Sequence, residues 1–341
     1  MLLLSCQNDR ESPPESYDFY HWQTKLSVDD ALLEKVSRSS SNRLYLRFFD
    51  LHVSGPHGPV LPIATVQIQP DLQSTIEELV PVVFIRNEVF KHTGLDNYKL
   101  RQLARKTGEK INRIRRKSLG NVLIPEVQFD CDWTDDTQEA FFRFLELYRQ
   151  SEAFQELNAA TANVQITSTL RLHQVKYRER TGVPPVDKVV LMAYNVGDIA
   201  SAAESNSIIN NQVTAQYLGR LKEYPLPYDV ALPLFQWGVL YRNNQLLAVL
   251  RDLDPTAQRN AFKKLDNANF QVTQDAYVNN QFLYPNDRIR METTSLDDLI
   301  ELSSLIREAS IPNTTYRTLF YEINSPLAHA FSHEELSRAV R

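Results

Sequence analysis

Hydrophobic positions along this chain fall into two alternating kinds of run. Short β-rich stretches recur at Asp18–Thr24, Leu44–Leu51, Val82–Asn87, Val127–Trp133, Val164–Leu172, Lys188–Asn195, Val230–Gln236, Arg288–Thr293 and Thr318–Ile323, and each reads as a strand. Between them lie helical patterns over Val28–Ser37, Leu95–Leu119, Asp135–Glu156, Gln212–Glu223 and Leu296–Glu308. Phe141, Phe142, Leu145 and Tyr148 make one apolar stripe at helical spacing. Leu296, Leu299, Ile300 and Leu302 make another, with Ser295 and Asp298 as a capping box. Alternation of this length implies parallel strands joined by crossover helices, and a closed α/β fold, the (β/α)8 TIM barrel, fits it best. The runs number nine, one too many for that barrel. Arg288–Thr293 is the one expected to lie outside, because it follows a long polar insertion (about residues 241–287) that repeats no unit. The expectation is a TIM-barrel domain over residues 17–341, with an insertion between the seventh strand and the last, behind a leader over residues 1–16.

Composition narrows the class. A chain of 341 residues, 43% hydrophobic and 23% charged, suits a folded protein with a sizeable core. Neither GxGxxG nor GxxxxGK[ST] occurs among its nine glycines, so no nucleotide cofactor is expected. A net charge of −5 argues against a nucleic-acid partner. One helix departs from that balance: Leu95–Leu119 carries Lys99, Arg101, Arg105, Lys106, Lys110, Arg113, Arg115, Arg116 and Lys117. Few aromatics interleave with them, and they read as a solvated outer face rather than a nucleic-acid patch, with contact to an anionic surface as the open alternative. Two cysteines exclude a disulfide scaffold and a cysteine-based zinc cluster. Met1-Leu2-Leu3-Leu4-Ser5-Cys6 resembles a bacterial lipoprotein box, with residues 7–16 as a flexible tether. Lipidation at Cys6 would make a membrane the partner and place the protein in the cell envelope, anchored to the outer membrane. No other segment is long and apolar enough to span a bilayer.

The strand ends carry the polar chemistry. Asp130 and Asp132 share one face of their run near its carboxyl end. Thr167, Thr169, Arg171 and His173 share a face of the next; Arg47 sits mid-strand between Tyr45 and Phe49. Met192 and Tyr194, Leu234 and Gln236, and Arg290 and Glu292 form similar pairs. In TIM barrels such positions build the active site. Unpartnered charges there would cost several kcal/mol each, so Asp130 and Asp132 should pair with Arg47 or Arg171. Two neighbouring carboxylates repel, which raises the pKa of one and fits it to act as an acid. Trp22, Trp133 and Trp237 all lie at or just past strand ends, where aromatic faces suit sugar rings or ordinary packing. His21 reads as a structural donor. Cys131 faces away from the aspartates and reads as a packing residue. HExxH and GxSxG are absent, and Asp-Cys-Asp alone is too weak a signal to assign a metal.

Val127-Gln128-Phe129-Asp130-Cys131-Asp132-Trp133-Thr134 resembles the fourth-strand motif DxxDxDxE of chitinase-like glycoside hydrolases. Met192-Ala193-Tyr194-Asn195 resembles their sixth-strand MxYD, and Leu232-Pro233-Leu234-Phe235-Gln236-Trp237-Gly238 their Pro-containing seventh-strand run. About residues 17–325 also resemble an uncharacterised family of Bacteroidetes lipoproteins, through Phe19-Tyr20-His21-Trp22-Gln23-Thr24, Leu46-Arg47-Phe48-Phe49-Asp50, Phe129–Thr134, Thr169–Gln174 and Gly182-Val183-Pro184-Pro185. The resemblance implies a barrel that acts on, or holds, a polysaccharide. Three departures bear on chemistry. Thr134 stands where the motif keeps its glutamate acid, Val127 replaces its first aspartate, and Asn195 replaces the aspartate of MxYD. Threonine supplies no proton to a leaving oxygen, so the chitinase mechanism does not carry over. Asp130, Asp132 and Glu292 are then the catalytic candidates. Arg47, Arg171 and His173 would orient them; Tyr194, Gln236, Trp237 and Trp22 would contact sugar. A glycan-binding barrel without hydrolysis and a structural lipoprotein with an ion-paired lumen are the alternatives.

Overall fold

The computed structural model describes residues 17–341 apart from 28–33, 38–41, 56–57, 70–75, 92–95, 202, 252 and 258–259. The leader with Cys6, and much of the first expected helix, lie outside the described residues. Eight of the nine expected runs close into one parallel barrel: β1 (Tyr17–His21), β2 (Arg43–Val53), β3 (Glu78–Ile85), β4 (Glu126–Asp130), β5 (Gln165–Arg171), β6 (Lys188–Met192), β7 (Tyr228–Pro233) and, last in the chain, Thr318–Tyr321. Strands adjacent in sequence are adjacent in space, and β1 closes the ring by pairing with both β2 and the last strand.

The ninth run lies outside, as its setting after a long insertion suggested. Arg288–Glu292 (β12) joins Trp237–Arg242 (β8), Gln245–Arg251 (β9), Phe262–Lys264 (β10) and Asn269–Val272 (β11) in a five-stranded sheet of order β9-β8-β12-β11-β10. The last barrel strand is therefore β13. Leu240, Leu250, Phe262, Phe270 and Ile289 give the insertion a small core of its own. Asn243 and Asn244 turn β8 into β9 with φ of 52° and 60°. Asparagine tolerates that left-handed conformation, which a two-residue hairpin loop requires.

Helices cover the barrel. Leu296–Ala309 begins at the expected capping box, with the Ser295 hydroxyl accepting from the Asp298 N–H at 3.1 Å. The pattern expected to be one helix over Asp135–Glu156 is two, Gln138–Arg149 and Glu152–Thr161. Ser151 makes the break by capping the second helix, its hydroxyl accepting from the Phe154 N–H at 3.2 Å. Phe129 points outward from β4 and meets Phe144 and Tyr148 edge-on, with ring centroids 5.4 and 4.7 Å away. A Cβ at Gly108 would fall 2.7 Å from the Cβ of Ala153, so glycine there lets the helix Asn97–Ser118 close on its neighbour.

Inside the barrel, β4 presents Glu126, Gln128 and Asp130 at three successive levels. At the base, Lys188 Nζ lies 3.0 Å from Glu126 and also pairs with Asp229, while the Thr167 hydroxyl donates to Glu126 at 2.9 Å. Burial works against the Lys188 ammonium, but the two carboxylates outweigh it and raise its pKa. One level up, the Tyr20 hydroxyl donates to Gln128 Oε1 at 2.8 Å, and Tyr45 packs 5.2 Å from Tyr20. Tyr20, Tyr45 and Gln128 are buried, so the lumen is plugged at mid-height. Within the lumen, among the described residues, that leaves the upper level for a ligand. The base triad makes a direct test: Lys188→Met strands two buried carboxylates and should cost about 3–5 kcal/mol in urea unfolding. Wild-type stability in that variant would show that the triad does not support the barrel.

Candidate functional site

The mouth at the carboxyl ends of the strands is built around Asp130. It is the last inward residue of β4 and is half-buried; the Thr169 hydroxyl, one strand over, donates to its Oδ1 at 2.7 Å. Burial first, and then the charge of Asp132, push its carboxyl up to about 7, against the pull of Thr169 and Arg171. Asp132 follows the strand end and is exposed, with Arg171 Nε 3.4 Å away. Of the two arginines expected to balance the aspartates, Arg171 is the one that does so.

Arg47 has a different partner. Its guanidinium grips Asp50 with two hydrogen bonds, one of 2.6 Å from Nε, and donates to the Trp22 carbonyl at 3.1 Å. The same guanidinium lies 5.4 Å from the Trp22 ring centre. Asp50 thereby fixes Arg47, and Arg47 fixes the half-buried Trp22 at the rim. Asp50 escaped sequence reasoning, although it stands three residues after Arg47 on the same strand. Tyr321, at the end of β13, was also missed. Its ring lies 5.3 Å from Trp22 and stacks on Tyr194 at 5.6 Å, joining two expected contact residues into one floor. Tyr194 is buried, and burial raises the pKa of both tyrosines, with Asp130 adding to it.

The remaining candidates divide. His173 is exposed at the rim, and desolvation, followed by the Arg171 charge, holds its imidazole below the ordinary range. Gln236 is half-buried in the loop that leaves β7. Trp237 is 8% exposed, and its indole N–H donates to Glu292 Oε2 at 2.7 Å. It is committed to the insertion sheet, which corrects the expectation that its face is free for sugar. Glu292 needs the same correction as a catalytic group. It is 1% exposed and receives the Arg290 Nε at 2.7 Å, the Ser207 hydroxyl at 2.5 Å and Trp237. The Ser207 bond ties the insertion to the loop after β6, and the bonds from Arg290 and Trp237 lie within the insertion sheet, so the carboxylate is already spent. Trp133 is fully buried, donating to the Thr181 carbonyl at 2.8 Å and stacked on Phe141, so it too is a core residue. His21 and Cys131 are likewise buried; burial lowers the imidazole pKa to about 4 and raises the thiol.

Thr134 lies exposed just beyond Asp132 and Trp133. Its N–H donates to the Thr137 hydroxyl at 2.9 Å, which donates to Asn87 Oδ1 at 2.6 Å. That small network of neutral groups occupies the place where the resembling motif has its acid. Among the described residues no three His, Cys, Asp or Glu side chains are grouped to hold a metal ion, and no helix is long and apolar enough to cross a membrane.

No protein-family model and no curated protein matches the chain. Solved structures do match. A GH18 chitinase from Cycas revoluta in complex with allosamidin superposes with a TM-score of 0.57 and 13% identity, over 95% of this chain and 99% of that one. The class V chitinase from Nicotiana tobaccum gives 0.52 and 12%, over 96% and 97%. The spore cortex-lytic enzyme SleL of Bacillus cereus gives 0.50 and 13%, over 94% and 76%. At such identities the likeness is one of fold: a chitinase-like (β/α)8 barrel.

The electrostatics of the mouth can be read by titration. A ¹³C-carboxyl NMR titration should place the Asp130 midpoint near 7, lower in Asp132→Asn and higher in Arg171→Met. An unfolded aspartate titrates near 3.9. The folded chain therefore binds this proton more tightly, and the stability gained from Asp130 is lost as pH rises from about 4 through about 7. Asp130→Asn should flatten that slope. An ordinary Asp130 midpoint would refute the coupling.

Proposed function

We propose that this barrel binds a glycan across its mouth, with a sugar ring stacked on Trp22 and its hydroxyls hydrogen-bonded by Asp130, Asp132 and Arg171. The observation that carries the reading is the meeting of a half-buried indole, a half-buried carboxyl beside an exposed carboxylate, and a guanidinium at the same end of the barrel, above a plugged lumen. Sugar rings offer apolar faces to an indole, and charged side chains make the stronger hydrogen bonds to their hydroxyls. Neighbours solved with (GlcNAc)4, (GlcNAc)3 and allosamidin favour an oligosaccharide of GlcNAc type. The same reading takes Cys6 as the lipidated residue that tethers the barrel to the cell envelope, as in the Bacteroidetes lipoproteins it resembles.

Thr134 favours binding without turnover, since a neutral hydroxyl network replaces the proton donor. One observation favours hydrolysis instead: a carboxyl pushed up to about 7 is protonated over part of the neutral range and can act as an acid, with Asp132 as its partner.

A panel of β-linked oligosaccharides including (GlcNAc)4 separates the readings. Wild type should bind without releasing reducing ends. Trp22→Ala should weaken binding about tenfold or more, the loss of a stacked aromatic, while Thr134→Glu should bind and gain slow reducing-end release. Hydrolysis by wild type that disappears in Asp130→Asn would replace binding with catalysis. Absence of binding across the panel would overturn both.

A further inference from the structure

The helix Asn97–Ser118 carries nine Lys or Arg residues and one acid, Glu109, in a chain whose net charge is −5. Lys99, Lys106, Lys110, Arg113 and Lys117 follow one another at steps of seven, four, three and four residues. At helical geometry those five fall within an arc of about 60° and form a stripe about 27 Å long. Arg105, Arg115 and Arg116 point elsewhere and are balanced by Glu109 and Glu156. Among the described residues, no member of the stripe has an acidic partner. Lys99, Lys106, Arg113 and Lys117 are exposed, and Lys110 is half-buried with its ammonium 5.1 Å from the Phe49 ring centre. Its pKa is lowered by burial and then by Arg113.

Such an arrangement works against the helix. Lys106 with Lys110, Lys110 with Arg113, and Arg113 with Lys117 are like-charge neighbours, each destabilising. Solubility alone is served as well by charges of mixed sign. We propose that the stripe is an electrostatic docking face for an anionic phospholipid bilayer. The helix lies on the convex outside of the barrel, so the stripe meets a flat array of headgroups and forms no groove for a polymer. It also lacks an aromatic: Tyr98, exposed at the start of the helix, faces about 100° away, so bases have nothing to stack on. Lys117 lies at the base of the barrel, where β1 also begins. Cys6 is 11 residues before Tyr17, a reach of up to about 38 Å, so an acyl group there and the stripe can engage one surface. Basic clusters beside a lipid anchor supply the second signal that stable attachment needs. The docking face is independent of the glycan reading, because the stripe runs down the outer wall and not across the mouth.

The test uses the full chain carrying Cys6→Ser, sedimented with phosphatidylcholine vesicles with or without phosphatidylglycerol. Binding should require phosphatidylglycerol and disappear at high salt. Replacing all five stripe residues with Gln should weaken it at least tenfold. A control replacing Lys222, Lys263, Lys264, Arg288 and Arg338 removes the same charge and should leave binding within about twofold. Melting curves check folding, and a four-residue variant that keeps Lys110 carries the same expectation. Equal losses in stripe and control variants, no dependence on phosphatidylglycerol, or stripe-dependent binding of duplex DNA without vesicle binding would each overturn the proposal. Oligosaccharide binding by the stripe variant keeps this outcome separate from that of the mouth.

Discussion

Glu126, Gln128 and Asp130 point into the lumen at three heights on a single strand, and burial at each height demands a partner from another strand. Lys188 and Thr167 answer Glu126, with Asp229 sharing the lysine; Tyr20 answers Gln128; Thr169 answers Asp130. Those bonds reach from β4 to β5, β6 and across the barrel to β1. Each tightens the barrel, and each also dictates what the next level up can be. The charged base is paired internally and the middle is filled by Tyr20 and Tyr45, which leaves the top as the level of the lumen open to a ligand.

At the top, compensation is incomplete. Asp130 receives one hydroxyl and faces a second carboxylate, while Arg171 stands nearer to Asp132. That shortfall makes it the electrostatic centre of the mouth, and its charge adds to the burial of Tyr20, Tyr194 and Tyr321 in raising their pKa values. Glu292 is the opposite case. Arg290, Ser207 and Trp237 satisfy it completely, and it serves as the joint between the insertion and the barrel. The difference between a site and a joint is thus the number of donors each carboxylate receives.

Much of the frame was legible in the sequence because the signals are local. All eight barrel strands alternate or run apolar over a few residues, and the Ser295 box marks a helix start outright. The Asp130 and Arg171 positions followed from alternation at strand ends. What escaped depends on distant contacts. Arg290 and Glu292 alternate on a strand just as Asp130 and Asp132 do, and only the approach of Ser207 and Trp237 shows that they are spent. The Trp237 side chain looked available because it follows a barrel strand, yet it opens the insertion sheet. Ser151 broke a helix whose apolar stripe continues past it. Asn243-Asn244 encodes a hairpin that a polar insertion conceals. Asp50 was hidden because its partner, Arg47, was expected to serve the aspartates.

The three indole N–H groups offer the most direct check on the mouth. Trp133 donates to the Thr181 carbonyl and Trp237 to Glu292, deep in the core and the insertion joint, while Trp22 sits half-buried at the rim. In a ¹H–¹⁵N spectrum recorded during titration with (GlcNAc)4 or the best-binding glycan of a panel, the Trp22 indole signal should shift saturably and the other two should stay in place. A saturable shift of the Trp133 or Trp237 signal with Trp22 unmoved, or no shift of any indole across the panel, would contradict a glycan site at the barrel mouth.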